Sequence, residues 1–206
     1  MQTPPRSRRS VRRDAPPMPA QSATFPAFGP SNGVPRSPLW HWTDAIGIVI
    51  TLTLAAVLLH RGGAPAFSWP CVMLYAIVTP ALVRIDFREH RLPNLLTVPP
   101  LVLSFLVVVA AALFGDRVPL LLTLGVAGAL AAASMFAGLG FGDVKLGTGL
   151  AAALALAGPL LPGIALVAAV LSGGVASFAA LCARERAIAF GPFLCFGAVV
   201  SLVLVH

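Results

Sequence analysis

Long apolar runs, separated by short polar or glycine-rich stretches, constrain the fold of this chain more than any other feature of its sequence. Hydrophobic residues make up 58% of the chain and charged residues only 10%, whereas a soluble domain carries about a quarter charged residues. A helix needs about 20 mostly apolar residues to cross a bilayer, and lipid offers the backbone no hydrogen-bond partners. Membrane barrel strands would alternate polar and apolar residues, which these runs do not. We therefore predict an all-α polytopic membrane protein.

The runs predict about seven transmembrane helices. The expected spans are residues 44–60, 66–84, 94–114, 118–137, 144–157, 160–182 and 187–205. The fifth run is short and rich in glycine and alanine, so we expect it to lie partly sunk among its neighbours. Pro80 falls in the second run, and Pro99 and Pro100 fall in the third, where proline is expected to kink or interrupt a helix.

Residues 1–39 differ sharply in composition from the rest of the chain. They hold six arginines, one aspartate and nine of the 19 prolines, a composition typical of a disordered segment. We interpret them as a basic cytoplasmic tail attracted to anionic membrane lipid. Nucleic-acid binding is not expected, because no aromatic residue is interleaved among the clustered arginines of residues 6–13.

The distribution of lysine and arginine predicts the orientation of the spans. With the N-terminus inside, the basic residues of 83–91, Lys145 and 184–186 all lie on the cytoplasmic side, and the outer loops hold only Arg61 and Arg117. Two spans separate Asp86 from Asp143, so both carboxylates should lie at the cytoplasmic edge of the membrane. Asp116 falls in an outer turn, and His206 is expected outside.

Two acidic residues at one membrane edge suggest general acid–base chemistry. Two carboxylates in a partly dry site do not both ionise readily, so one retains a proton while the other is anionic. The anion can take a proton from an attacking water while the neutral acid supports a developing oxyanion. The three cysteines and four histidines show no metal-ligand spacing, so neither a metal site nor a disulfide framework is indicated.

Simpler structural roles also fit the same residues. Asp143 would serve as the N-cap of the fifth helix, and Asp86 would belong to a solvated charge cluster with Arg84 and Arg88. Lys145 would be an ordinary positive-inside anchor. Two further interpretations concern helix ends and packing: Asp44 as a cap of the first span, and the spacing of Gly138 and Gly142 as a helix-packing motif.

Three ordered segments together resemble one family. The stretch "GFGDVKL" (140–146) resembles the GxGD motif of intramembrane aspartic proteases, with the Lys-Leu continuation found in type IV prepilin peptidases. The stretch "IDFREHRLPNLLT" (85–97) is similar to that family's first-aspartate motif, and "AFGPFLCFGA" (189–198) is similar to its late Gly-Pro-Phe segment. The resemblance covers roughly residues 66–205.

The resemblance implies a set of site residues. Asp86 and Asp143 would be the catalytic pair, and Gly140 and Gly142 would allow the backbone to approach closely around the second aspartate. Supporting positions are named by the same motifs: Pro93 and Asn94 at the start of the third span, and Lys145 beside the site. The domain organisation then becomes a tail (1–39), an extra N-terminal span with its outer loop (40–65) and a six-helix peptidase domain (66–206).

The resemblance also implies a function. It predicts an aspartic endopeptidase of the bacterial inner membrane that removes the cytoplasmic leader from prepilin-like membrane proteins, without a metal or an organic cofactor. The compact form is similar to the peptidases of tight-adherence (Flp-type) pili. Larger bifunctional members carry an insertion with paired CxxC motifs that this sequence lacks, so methyltransferase activity is not expected. The rival interpretation is a noncatalytic polytopic protein, either a transporter or a pilus-assembly scaffold.

Overall fold

The computed structural model describes residues 40–89, 92–182 and 189–205. Within these ranges every regular element is helical, which confirms the predicted all-α class. The helices are α1 (Trp42–Arg61), α2 (Trp69–Glu89), α3 (Asn94–Leu113), α4 (Val118–Ala137), α5 (Phe141–Ala157), α6 (Leu161–Cys182) and α7 (Gly191–Val205). The predicted tail (1–39), the basic stretch 184–186 and the predicted start of the seventh span (187–188) lie outside the described residues.

The helix lengths support a protein that crosses a membrane several times. Among the described helices, five are long and apolar enough to span a bilayer, namely α1, α2, α3, α4 and α6. Helix α7 is apolar but has 15 residues, and α5 has 17. Helices α2 and α3 continue through their internal prolines, so the expected interruptions are not observed.

Helix α5 occupies the centre of the bundle, as its composition predicted. It packs against α2, α3, α4, α6 and α7, and all its residues from Gly149 to Ala157 are buried. Its small residues leave room for neighbouring side chains. A Cβ atom on Gly149 would overlap the hydroxyl of Tyr75, and one on Gly147 would lie 2.5 Å from Leu130 Cδ1. Side-chain bulk at these two positions would therefore push the neighbouring helices away.

Several helix ends meet at one end of the bundle. The end of α2 and the starts of α3, α5 and α7 lie there, and we call this the acidic end because it carries Asp86 and Asp143. Helix α4 ends at Gly138, whose φ of 71° is a left-handed conformation that glycine adopts readily. Since Gly138 ends α4 and Gly142 lies in α5, the two do not form a packing motif on one helix, and that interpretation is wrong.

Candidate active site

Asp86 lies on the last turn of α2 and is buried, with 4% of its surface exposed. The helix continues to Glu89, five residues beyond the predicted end of the span at residue 84. Burial contradicts the interpretation of Asp86 as part of a solvated charge cluster. Arg84, a neighbour in that predicted cluster, is also largely buried and forms an ion pair with Asp44, with 2.9 Å between Nη2 and Oδ2.

Asp143 lies in the first turn of α5 rather than at its N-cap. The N-cap residue is Gly140, and the backbone N–H of Asp143 donates to the carbonyl of Gly140 at 3.0 Å. The interpretation of Asp143 as the N-cap is therefore wrong, since its own backbone is already helical. A negative side chain in a first helical turn is electrostatically favourable, but this placement leaves the carboxylate available for other contacts.

The backbone of Gly191 lies close to both carboxylates. Its N–H, at the start of α7, donates to Asp86 Oδ2 at 3.1 Å. A Cβ atom added to Gly191 would lie 2.6 Å from Asp86 Oδ2 and 3.6 Å from Asp143 Oδ1. Because one point is this close to both side chains, Asp86 and Asp143 face the same small space. The count of crossings had predicted only that they share one edge of the membrane.

The glycines before Asp143 allow a close fit of the first turn of α5. A Cβ atom on Gly142 would lie 3.2 Å from Leu92 Cβ, in the segment that leads into α3. A Cβ atom on Gly140 would lie 3.2 Å from Asp143 Oδ2. Glycine suits these two positions because a side chain would be crowded there, and not because the backbone adopts a positive φ.

The predicted supporting residues also meet at the acidic end. Helix α3 begins at Asn94 with Pro93 as its N-cap, as predicted. The Nζ of Lys145 donates to Asn94 Oδ1 at 3.1 Å and lies 5.1 Å from the ring centroid of Phe141. Lys145 therefore joins the start of α3 to the start of α5, and this is a more specific role than that of an ordinary membrane anchor.

Sequence reasoning did not assign Gly191 to the site. The segment 189–198 had been matched only as a motif in the expected order, with no role for its residues. The signal was the glycine that immediately precedes Pro192, at a helix start where a backbone N–H is free to bind an anion. Within the described ranges, no cluster of three or more His, Cys, Asp or Glu residues could hold a metal ion.

The geometry supports acid–base chemistry on a substrate that reaches the acidic end. Two carboxylates from separate helices face one space, and a backbone N–H orients one of them. Such a pair can hold one proton between its members and exchange it with a bound water. The burial of Asp86 removes competing bulk water, which strengthens these interactions.

Comparison with known proteins identifies a family. A model of the type IV leader peptidase family matches residues 73–178. The matched segment runs from α2 into α6 and includes both Asp86 and Asp143, whereas α1 and α7 lie outside it. No curated protein and no solved structure matches the chain significantly.

Proposed function

The chain belongs to the type IV leader peptidase family, and from this premise we propose that it is an aspartic endopeptidase that removes leader peptides from prepilin-like membrane proteins. One observation carries the aspartic assignment. Asp86 and Asp143 come from helices separated by two others in the sequence, yet they face one space beside Gly191. Their roles as the catalytic pair rest on this geometry and on the motif resemblance.

The proposed reaction uses the two carboxyl groups in complementary forms. The ionised group accepts a proton from water as the water oxygen attacks the carbonyl carbon of the scissile peptide bond. The protonated group donates a hydrogen bond to the carbonyl oxygen as negative charge develops there. The carbon–nitrogen bond then breaks, and the departing amine takes a proton from a carboxyl group.

Apolar surface at the acidic end supports a membrane-embedded substrate. Phe87, Leu95 and Phe141 lie at the ends of α2, α3 and α5, and each has at least 60% of its surface exposed. Such residues suit the apolar helix that follows the leader in a prepilin-like precursor. We further propose a Flp-type precursor, because the compact form is similar to peptidases of those systems, and peptidase activity without N-methylation.

The test is cleavage by the purified full-length protein in proteoliposomes. The substrate is a precursor with a short basic leader, a glycine and an apolar helix, and the expected product is shorter on a gel. Mass spectrometry should place the cut after the glycine and find an unmethylated new N-terminus. Intact precursor after prolonged incubation with several such substrates would favour the noncatalytic scaffold, and cleavage elsewhere would contradict the proposed specificity.

We also propose that the protein lies in the bacterial inner membrane with its N-terminus and acidic end in the cytoplasm. The excess of lysine and arginine at that end supports this orientation. A reporter fused after His206 should be active if it requires export and inactive if it requires the cytoplasm. Fusions after Phe114 and after Leu139 are the controls, expected outside and inside respectively. The reverse pattern would contradict the proposed orientation.

A further inference from the structure

Helix α1 lies outside the segment that matches the family, but it runs antiparallel along the helix that carries Asp86. It packs mainly on α2 and also contacts α7. Contacts between α1 and α2 occur at three successive levels that approach Asp86 along α2. They join Thr51 to Ala76, Gly47 to Pro80, and Asp44 to Arg84.

The first contact repairs a defect in the hydrogen bonding of α2. Pro80 has no backbone N–H, so the carbonyl of Ala76, four residues earlier, lacks its usual helical donor. The hydroxyl of Thr51 lies 2.6 Å from this carbonyl oxygen and can donate to it. The same hydroxyl lies 2.9 Å from the carbonyl of Gly47 in its own helix, so the contact with α2 is the shorter. An unsatisfied carbonyl in lipid is costly, and neighbouring hydroxyls are a known remedy.

The second contact sets the distance between the helices. A Cβ atom on Gly47 would lie 2.8 Å from Pro80 Cβ, so any side chain there would force α1 and α2 apart. Glycine at position 47 thus permits the approach that Thr51 needs, one helical turn away. Both contacts act on the part of α2 that leads directly into the turn with Asp86.

The third contact holds the end of α2 by a bidentate ion pair. Arg84 Nε lies 3.0 Å from Asp44 Oδ1, and Arg84 Nη2 lies 2.9 Å from Asp44 Oδ2. The Asp44 and Arg84 side chains are only 4% and 12% exposed. His41 is the N-cap of α1, and Asp44 completes a capping box by accepting a hydrogen bond from the backbone N–H of His41 at 2.8 Å. This contact fixes the orientation of Asp44 and gives it the capping function that was predicted, although from the third position of the helix. Arg84 is two residues from Asp86, so this geometry constrains the turn that presents the carboxylate.

We propose that α1 is a brace that positions Asp86, with Thr51, Gly47, Asp44 and Arg84 as positioning residues. The proposal rests on the proposed catalytic role of Asp86. Rotation of the last turn of α2 would move the Asp86 carboxylate relative to Asp143 and Gly191, whereas Leu95 on α3 and Phe141 on α5, which form most of the apolar surface proposed to receive a substrate helix, would stay in place. Loss of the brace should therefore lower kcat and leave KM nearly unchanged.

The decisive variant is Thr51→Val, which keeps the shape of the side chain and removes the hydroxyl. We expect kcat for leader cleavage to fall between about 10-fold and 100-fold, because small misplacements of catalytic groups have effects of that size. Thr51→Ser retains the hydroxyl and should restore most of the activity. Thr53→Val is the matched control, since Thr53 is exposed and its hydroxyl donates within α1, to the carbonyl of Val49. Its kcat should equal that of the parent protein.

The measurements use the full-length chain in proteoliposomes, with protein amount and thermal stability recorded for each variant. If Thr51→Val does not accumulate, Asp44→Asn is judged by the same criteria, because it keeps the shape of the side chain and removes its charge opposite Arg84. An unchanged kcat, or a higher KM at unchanged kcat, would overturn the brace. Asp86→Asn is measured in parallel: if it cleaves normally, the proposed function itself fails, whereas an inactive Asp86→Asn beside a normal Thr51→Val removes only the brace.

Discussion

Asp143→Asn should nearly abolish leader cleavage while the protein still accumulates at normal levels. The change preserves the size of the side chain, and asparagine is accepted near a helix N-terminus about as well as aspartate. It does, however, remove a group that can gain and lose a proton. General acid–base catalysis contributes about 10²- to 10⁴-fold to rates, so we expect a loss of at least that order. The assay is conversion of a prepilin-like precursor to its mature form on a gel, with enzyme amount measured by immunoblot.

Two further variants make this result specific. Asp86→Asn should show a similar loss, and the double variant should be little worse than either single one, because groups that act as a unit have non-additive effects. Asp116→Asn is the control, since Asp116 is exposed at the opposite end of the bundle and accepts a hydrogen bond from Val118. Efficient cleavage by Asp143→Asn at normal abundance would show that Asp143 is not catalytic and contributes only a favourable charge in the first turn of α5.

Gly191→Ala should cause the second largest loss, although it adds only one methyl group. The new Cβ atom would lie 2.6 Å from Asp86 Oδ2 and 3.6 Å from Asp143 Oδ1. A contact of 2.6 Å cannot persist, so the carboxylate of Asp86 must move and lose its hydrogen bond from the backbone N–H. We expect cleavage to fall about 100-fold, as for other small displacements of catalytic groups.

The matched control for this substitution is Gly174→Ala in α6, where an added Cβ atom meets no atom within 4 Å. It should cleave at the parental rate, because it adds the same methyl group to a helix without contact. Both variants are compared for kcat, KM and thermal stability in detergent. A fully active Gly191→Ala would show that the space between the carboxylates is wider under working conditions than the structure indicates, and would remove Gly191 from the site.

The type of the secondary structure and the number of helices among the described residues were predictable, because a segment that crosses lipid must be apolar and must satisfy its own backbone hydrogen bonds. The ends of the helices were less predictable, since a helix can continue after its apolar run stops. Helix α2 keeps helical hydrogen bonding through polar residues to Glu89, which buries Asp86 in the bundle. Helix α5 begins at Phe141, before the apolar run predicted from residue 144, which places Asp143 inside its first turn.

Pairings between distant helices were beyond the reach of sequence patterns. The count of membrane crossings placed Asp86 and Asp143 at the same end of the bundle, and that argument needed no packing detail. By contrast, the bidentate contact of Asp44 with Arg84 depends on how α1 rotates against α2. The position of Gly191 depends on where α7 begins relative to α2. Neither the rotation of one helix against another nor the offset between their ends can be deduced from the hydrophobic periodicity of a single sequence.

The hydrogen bond from Gly191 to Asp86 joins residues 105 positions apart in the chain, and this has a consequence for biosynthesis. Asp86 and Asp143 both precede α7 in the chain and are therefore synthesised before it. Until α7 inserts, the carboxylate of Asp86 lacks the N–H that orients it and the backbone that bounds its space. An incomplete chain would therefore hold both acids without the contact that orients Asp86, and the proposed site would be complete only after α7 has inserted.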